Sequence, residues 1–144
     1  MTFTLSIAQP TPADLDIIHG VIANSYWSRG IPRETLERSI ANSICVIARD
    51  QAGALIGHAR LITDKATFGW LCDVFVLPAH EGQGIARAMV RELRGQPELQ
   101  GFKRWRLGTL DAHGVYAGLG FVPLGNPERF MEIRNYDPYG QGSI

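Results

Sequence analysis

Residues 70–94 constrain the fold of this chain more than any other stretch. They open with an apolar run, Trp70–Leu77, that has the length and the aromatic and β-branched content of a strand. Pro78 ends the run, because proline cannot donate a hydrogen bond to a sheet ladder. A short turn with Gly82 and Gly84 follows, and beyond it the apolar residues recur at helical spacing. The stretch therefore predicts a strand, a glycine-rich turn and a helix.

This arrangement has a direct chemical use in binding anions. The first amides of a helix have no intrahelical partner, and the helix dipole adds partial positive charge at that end. Gly82 and Gly84 let the backbone approach a ligand without an intervening Cβ, so a phosphate or pyrophosphate is the natural occupant. The turn is neither a Walker loop nor a GxGxxG fingerprint, so the pattern alone fits a purely structural turn as well.

Two motifs resemble those of a known family. Residues 81–86, EGQGIA, resemble the acetyl-CoA signature of the GNAT N-acetyltransferases, Gln/Arg-x-x-Gly-x-Gly/Ala. Gly84 and Ala86 match this signature, whereas Glu81 stands where Gln or Arg is expected. Residues 116–121, YAGLGF, resemble the Tyr-x-x-x-Gly-Phe segment of the same family. Two motifs in the right order are more specific than either alone.

Composition places the chain among ordinary globular proteins. It has 144 residues, the size of one domain, and 14 Lys and Arg against 14 Asp and Glu, which argues against a general nucleic-acid binder. No apolar run has the length of a membrane span, and the start lacks the basic residues of a signal peptide, so we expect a cytoplasmic protein. Cys45 and Cys72 are predicted to be buried thiols rather than a disulfide. We expect one domain over residues 1–136 and a loose tail over 137–144.

The periodicity predicts the element order β-α-α-β-β-β-α-β-α-β-β. This is a single α+β domain with a mixed, mostly antiparallel central sheet flanked by helices, and it is also the order that the GNAT resemblance implies. A short helix is predicted over residues 112–119, and the last two strands over 121–124 and 129–134. In the family, the central strand and the strand after the crossover splay apart, and the gap admits the pantetheine arm.

The resemblance implies acetyl-CoA as the cofactor. Its pyrophosphate would lie on the amides of the glycine turn and helix start, and its pantetheine arm would pair with the backbone of the preceding strand. A carboxylate at Glu81 repels phosphates unless it points away or is paired. The residues assigned to the cofactor are Phe75, Val76, Leu77, Gly82, Gln83, Gly84, Ile85, Ala86 and Arg87.

Two residues are candidates for proton transfer. Strand alternation puts Asp73 on one face with Leu71, Phe75 and Leu77, where desolvation would raise its pKa and make it a better base. The alternative is a structural aspartate bonded to backbone or to an arginine. Tyr116 matches the family tyrosine that protonates the leaving thiolate, and the alternative is a tyrosine packed in the core. The family also implies that an amide near Phe75 and Val76 polarises the thioester carbonyl.

The acceptor residues are less specific. The loop between the two early helices is aromatic and cationic, which suits a ligand with a flat or apolar part and a carboxylate, although its aromatic residues could equally pack the helix pair. Asp111 is predicted to cap the short helix. The tryptophans at 70 and 105 and Met131 are predicted to be core side chains. The residues assigned to the acceptor are Tyr26, Trp27, Arg29, Arg33 and His113. The four histidines have no metal-ligand spacing, so no metal is predicted.

The sequence thus predicts an acetyl-CoA-dependent N-acetyltransferase that moves the acetyl group directly onto a primary amine, with a small-molecule acceptor and no nucleic-acid or membrane partner. A homodimer through the last strands is left open. A covalent intermediate on Cys72 is disfavoured, because alternation puts this residue opposite Asp73. The main alternative is a non-catalytic acyl-CoA-binding module, which Glu81 favours. A phosphate-binding regulatory domain would require both motifs to be accidental.

Overall fold

The computed structural model describes residues 2–140 and contains one five-stranded sheet with helices on both faces. The elements are β1 (Thr4–Ile7), α1 (Pro12–Ile22), α2 (Arg33–Ala41), β2 (Ile44–Arg49), β3 (Leu55–Thr63), β4 (Phe68–Val76), α3 (Ile85–Arg94), β5 (Arg104–Arg106) and α4 (His113–Ala117). The strands lie in the order β1-β2-β3-β4-β5, antiparallel except for the parallel pair β4 and β5. The predicted α+β class with a mixed, mostly antiparallel sheet is confirmed.

Local sequence explains where α1 begins. Thr11 accepts a hydrogen bond from the amide of Asp14, and the Asp14 carboxylate accepts one from the amide of Thr11. This reciprocal capping box satisfies two backbone donors that the first turn would otherwise leave unpaired, and Pro12 needs no donor at that position. The box also fixes Asp14 where Arg49, at the end of β2, donates two hydrogen bonds to it at 2.9 and 2.7 Å. The helix start is thereby tied to the sheet.

Two apolar cores lie on opposite faces of the sheet. The first lies between the sheet and α3 and includes Leu71, Met89 and Leu93. The second lies between the sheet and the pair α1 and α2, and includes Leu36 and Phe75. Because the sheet is covered on both faces, β2 and β3 are buried along most of their length.

The prediction of two final strands is wrong. Residues 121–124 and 129–134 form no strand, and a short 3₁₀ turn, Pro127–Arg129, interrupts the segment. A strand exists only when its backbone groups are paired, and this segment pairs with no other described strand. Its outward side chains are not buried either: Met131 is 98% and Ile133 104% exposed. Of the predicted loose tail, residues 141–144 lie outside the described residues.

Among residues 2–140, no helix combines the length and the hydropathy that crossing a bilayer requires. The same part of the chain contains no group of three His, Cys, Asp or Glu side chains placed to hold a metal ion.

Candidate active site

A bulge in β4 shapes the site. Opposite His58 and Arg60 of β3, the register of β4 shifts by one residue, and Asp73 in this bulge has a φ of 51°. The predicted alternation is therefore wrong: Leu71 packs in the core beneath α3, whereas Phe75 packs in the core beneath α1 and α2. Between β4 and β5, pairing covers only the positions from Phe68 to Trp70. Since β5 ends at Arg106, β4 has no strand partner on this side beyond Trp70 among the described residues.

The first cavity lies between β4, α4 and the start of α3, and we call it the α3 cavity. It encloses about 490 Å³. Its lining is Val74–Val76, His80–Gly82, Gly84–Arg87, Ala112, Val115 and Tyr116. Seven of the nine residues predicted to bind the cofactor thus line one cavity. The other two lie elsewhere: Gln83 accepts a hydrogen bond from the Thr2 hydroxyl at 3.5 Å, and Leu77 packs against the α1 and α2 core.

The start of α3 is open to a ligand. Gly84 is the N-cap in left-handed conformation with φ 76°, no side chain caps the helix, and its first turn holds no acidic residue. The first helical bond runs from the Ala88 amide to the Gly84 carbonyl, so the three preceding amides have no intrahelical acceptor. Gly82 has φ 79°, and a Cβ added at either glycine would meet no atom within 4 Å. These glycines therefore leave space at the amides, as an anion requires.

The second cavity lies on the other face of the sheet, under the loop between α1 and α2, and we call it the loop cavity. It encloses about 660 Å³. Its lining is Tyr26, Trp27, Trp70–Val74, Leu107–Ala112, Tyr116 and Arg134. Val74, Ala112 and Tyr116 line both cavities, so the two meet beside the part of β4 that lies beyond its pairing with β5.

The predicted acceptor residues divide between this cavity and other places. Tyr26 and Trp27 line it, and the Tyr26 hydroxyl accepts a hydrogen bond from the Leu110 amide at 3.2 Å. Arg29 and Arg33 do not line it; Arg33 instead donates to Asp16 and Glu37 on the outer surface of α1 and α2. The arginine that does line it, Arg134, was missed by sequence reasoning because it lies in a segment interpreted as a structural strand.

A third cavity, the β5 cavity, adjoins the loop cavity and is the most apolar of the three. It encloses about 760 Å³ and is lined by Trp70, Trp105–Thr109, His113, Tyr116–Ala117, Phe121–Leu124 and Phe130. His113, predicted to contact the acceptor, lies here rather than in the loop cavity. Trp70 lines both cavities and is 37% exposed, so its prediction as a core residue is wrong, as is that of Met131. Trp105 packs at the edge of the α3 core, as predicted.

Asp73 is held by two partners. Its side chain accepts a hydrogen bond from Trp27 Nε1 at 2.8 Å through Oδ1 and one from Arg60 Nε at 2.7 Å through Oδ2. Arg60 also donates to the Ser43 hydroxyl at 3.0 Å. Both carboxylate oxygens are thus engaged by donors of the protein, and the indole of Trp27 is fixed in the cavity wall. These contacts favour a structural role for Asp73 over the predicted role as base.

His58 and Arg60 of β3 support the bulge, and neither role could be read clearly from the sequence. The His58 ring nitrogen Nδ1 lies 3.1 Å from the Asp73 carbonyl oxygen and donates to it, which secures the backbone at the bulge. Burial lowers the pKa of His58 to about 4, so the ring is neutral at pH 7. The only sequence signal was a charged Arg60 in the middle of the apolar run of β3, since a buried charge implies a partner.

Tyr116 occupies the point where the cavities meet. It lines all three of them, and its ring makes an edge contact with Phe121 at 5.9 Å between centroids. Burial, with a smaller contribution from nearby Tyr26, raises the pKa of its phenol above the ordinary value of 10. The hydroxyl therefore keeps its proton at neutral pH. Asp111, in contrast, does not cap α4; the Thr109 hydroxyl accepts from the Ala112 amide instead.

Burial disfavours the thiolate form of both cysteines. Cys45, Arg60 and Cys72 face one another across β2, β3 and β4, and both thiols are free. Burial raises the pKa of Cys45 to about 11 and that of Cys72 to about 12. Only the thiolate is strongly nucleophilic, so Cys72 is a poor nucleophile although it lines the loop cavity.

Comparisons with known proteins agree with this geometry. The family model of the GNAT acetyltransferase domain matches residues 41–123. A crystal structure from Xanthomonas campestris pv. campestris, assigned to the GNAT acetyltransferases, is 35% identical, covers 95% of this chain and 97% of its own, and superposes with a TM-score of 0.87. A Gibberella zeae protein named as an acetyltransferase is 28% identical over 63% of this chain, which spans 64% of that relative's length.

A more distant structure shares the fold. It is N-acetylglutamate synthase from Neisseria gonorrhoeae in complex with coenzyme A and N-acetyl-glutamate. It is 22% identical and has a TM-score of 0.65, with 81% of this chain and 28% of that chain covered.

Proposed function

The chain belongs to the GNAT acetyltransferase family, and from that premise we propose that it transfers an acetyl group from acetyl-CoA directly onto a primary amine of a small molecule. One observation carries the proposal: the α3 cavity and the loop cavity open on opposite faces of the sheet and share Val74, Ala112 and Tyr116. A donor on one face and an acceptor on the other would therefore meet beside a protonated phenol.

The residues of the α3 cavity fit the cofactor. The amides of Ile85–Arg87, uncapped and flanked by two glycines, would hold the pyrophosphate. Beyond Trp70, the edge of β4 that faces β5 has no strand partner among the described residues, so its backbone near Phe75 and Val76 can pair with the pantetheine amides. Glu81 lines the same cavity, is exposed and has no ion-pair partner in residues 2–140, so it must turn towards solvent when phosphates bind.

The chemistry requires a carbonyl polariser and an acid. Acetyl-CoA, when bound, supplies the acetyl group as a thioester. A backbone amide near Phe75 and Val76 would donate to the thioester oxygen as negative charge develops on it. The Tyr116 hydroxyl, whose pKa is raised by burial, would give its proton to the leaving sulfur. The amine loses its proton to water, which reaches the loop cavity past the half-exposed side chains of Tyr26 and Trp27.

Direct transfer is supported by the state of Cys72. An acetylated cysteine intermediate would need a thiolate at this position, and a thiol with a pKa of about 12 is almost entirely protonated at pH 7. The attack on the thioester is therefore assigned to the acceptor amine. The two free thiols also support the proposal of a cytoplasmic location, where thiols are kept reduced.

The proposal is tested by calorimetric titration of acetyl-CoA into the wild type and Gly84→Glu. We expect the wild type to bind and the variant to lose binding, because a bulky anion would occupy the space at the α3 amides. Gly53→Glu is the matched control: Gly53 also has a positive φ, 88°, and open space around it, but lies in the turn between β2 and β3. It introduces the same charge and comparable backbone strain, and should keep binding.

The outcome separates the two main interpretations. If the wild type binds acetyl-CoA and releases thiol with a panel of amines, the transferase proposal stands. If it binds without any thiol release, the chain is an acyl-CoA-binding module, the alternative that Glu81 favours. Failure of the wild type to bind would contradict both.

A further inference from the structure

The loop cavity contains charged groups that the proposed reaction does not use. Three charged side chains line it: Asp73, Asp111 and Arg134. Asp73 is paired with Arg60 at 2.7 Å. For Asp111 and Arg134, the described part of the chain provides no ion-pair partner. The cavity therefore offers a ligand one anionic and one cationic group.

The setting of Arg134 suits a carboxylate. Its guanidinium lies over the ring of Tyr136, with 4.9 Å from Cζ to the ring centroid. Stacking uses the flat face of the guanidinium and leaves the N–H donors at its edge, and these donors match the two oxygens of a carboxylate. Tyr136 thus holds the cation in place without neutralising it.

The setting of Asp111 suits an ammonium group. Within residues 2–140, the carboxylate does not cap the start of α4. The amide of Ala112 donates its hydrogen bond to the Thr109 hydroxyl instead. Asp111 immediately precedes Ala112, and Ala112 lines the α3 cavity as well as the loop cavity. An amine drawn towards Asp111 is therefore drawn towards the junction of the two cavities.

Aromatic side chains form part of the remaining lining, beside aliphatic residues such as Leu107 and Leu110. Tyr26 and Trp27 meet edge to face at 5.0 Å between ring centroids, and Trp70 lies in the lining of the same cavity. The Trp27 indole is fixed by its hydrogen bond to Asp73. Such walls favour a flat or apolar group, because its burial against them removes apolar surface from water.

We propose that the acceptor is an amino acid with a flat or apolar side chain, whose carboxylate is bound by Arg134 and whose amino group is drawn to Asp111. This inference rests on the proposed acetyl transfer, and it names the class of amine. Arg134 and Asp111 are then the residues that determine specificity, one for each charge of the acceptor.

Three probes separate the two charges. L-phenylalanine carries both, 3-phenylpropionate lacks the amine, and phenethylamine lacks the carboxylate. Their dissociation constants are measured by calorimetry on the wild type, Arg134→Gln and Asp111→Asn, without any requirement for turnover. The wild type should bind L-phenylalanine most tightly of the three.

Each variant should affect only the probes that carry its charge. Loss of a charge-assisted hydrogen bond weakens binding by roughly 10-fold or more. Arg134→Gln should therefore weaken the binding of L-phenylalanine and of 3-phenylpropionate by about that factor. The affinity for phenethylamine should stay unchanged. Asp111→Asn should weaken the binding of L-phenylalanine and of phenethylamine. The affinity for 3-phenylpropionate should stay unchanged. Arg134→Lys should retain part of the affinity for L-phenylalanine and 3-phenylpropionate, because lysine keeps the positive charge but lacks the paired N–H donors of the guanidinium.

The control is Arg129→Gln, an exposed arginine of the same segment that does not line the loop cavity. It should bind all three probes as the wild type does. The inference is overturned if the wild type binds none of them, if it binds phenethylamine as tightly as L-phenylalanine, or if a variant weakens all three equally. Because acetyl-CoA binding is measured separately, the acceptor assignment can fail while the acetyltransferase proposal stands, and the reverse.

Discussion

At the scale of single residues, Tyr116 combines the properties that an acid requires. It lines all three cavities, its pKa is raised by burial, and its ring is kept in place by Phe121. The sequence could identify Tyr116 as a candidate, because Tyr116 and Gly120-Phe121 form a local motif that resembles the family segment. Its position beside Tyr26 could not be predicted, since that contact joins residues far apart in the chain.

Tyr116→Phe should therefore separate proton donation from packing. The variant keeps the ring and its contact with Phe121 and loses only the hydroxyl. Loss of a general acid typically costs roughly 10²- to 10⁴-fold in rate, so we expect kcat to fall within that range with little change in the KM for acetyl-CoA. Tyr139→Phe, at the edge of the α1 and α2 core, is the control and should keep its kcat. A Tyr116→Phe enzyme with wild-type kcat would assign the proton to another donor.

At the scale of elements, the bulge in β4 joins the sheet to the loop between α1 and α2. Asp73 is the link, since it binds Arg60 of β3 and Trp27 of the loop. From the sequence, Asp73 could be predicted as a polar residue in an apolar strand. That its neighbours Leu71 and Phe75 pack on opposite faces of the sheet could not be predicted. Alternation assumes an uninterrupted ladder, and one extra residue reverses every side chain beyond it. Nothing local in the sequence marks the bulge, because it depends on pairing with β3.

The role of Asp73 can be tested by a double-mutant cycle with Trp27. If Asp73 acts by holding the indole, Asp73→Asn and Trp27→Phe should each raise the KM for the acceptor, with smaller effects on kcat, and the double variant should be no worse than the worse single one. Steady-state kinetics on the four proteins decides this. If Asp73 is instead the predicted base, Asp73→Asn alone should lose roughly 100-fold or more in kcat while Trp27→Phe keeps it.

The two final strands that were predicted but not found show how far the spacing of apolar residues can predict a strand. Residues 129–134 contain the apolar side chains Phe130, Met131 and Ile133, but the structure leaves all three exposed, and the Phe130 ring lies 3.9 Å from the guanidinium of Arg106. Alternation describes which side chains share a face, but a strand also needs a neighbour for its backbone. The helix after the glycine turn, α3, could be predicted from its spacing alone because the hydrogen bonds of a helix are internal.

At the scale of the whole molecule, the ion pair between Asp14 and Arg49 makes stability depend on pH. The hydrogen bonds from Arg49 lower the pKa of Asp14 from 3.8 to about 2, and the Asp14 side chain is only 6% exposed. Between these two values the unfolded chain binds the proton more readily, so stability rises with pH there. The stabilisation by the Asp14–Arg49 pair is complete at pH values above the pKa of Asp14 in the unfolded chain. It is lost as the pH falls from about 4 to about 2.

Asp14→Asn should lower the free energy of unfolding by about 2 kcal/mol at pH 7, and by much less near pH 2, where the wild type is itself protonated. Urea titrations at both pH values measure the difference. Asp16→Asn is the control on the same helix: Asp16 pairs with Arg33, but its side chain is 72% exposed, so a much smaller loss is expected. Equal losses for the two variants at pH 7 would contradict the importance of the buried pair.

The two-sided placement of the cavities also bears on the order of events. The start of α3 lines the α3 cavity, and Tyr26 and Trp27 of the loop between α1 and α2 line the loop cavity. The two linings share Val74, Ala112 and Tyr116 and otherwise consist of different residues, so a donor and an acceptor could be bound at the same time. If the proposed reaction holds, both ligands would occupy the protein together and react next to Tyr116, so we expect steady-state kinetics of a ternary-complex mechanism rather than of a ping-pong mechanism.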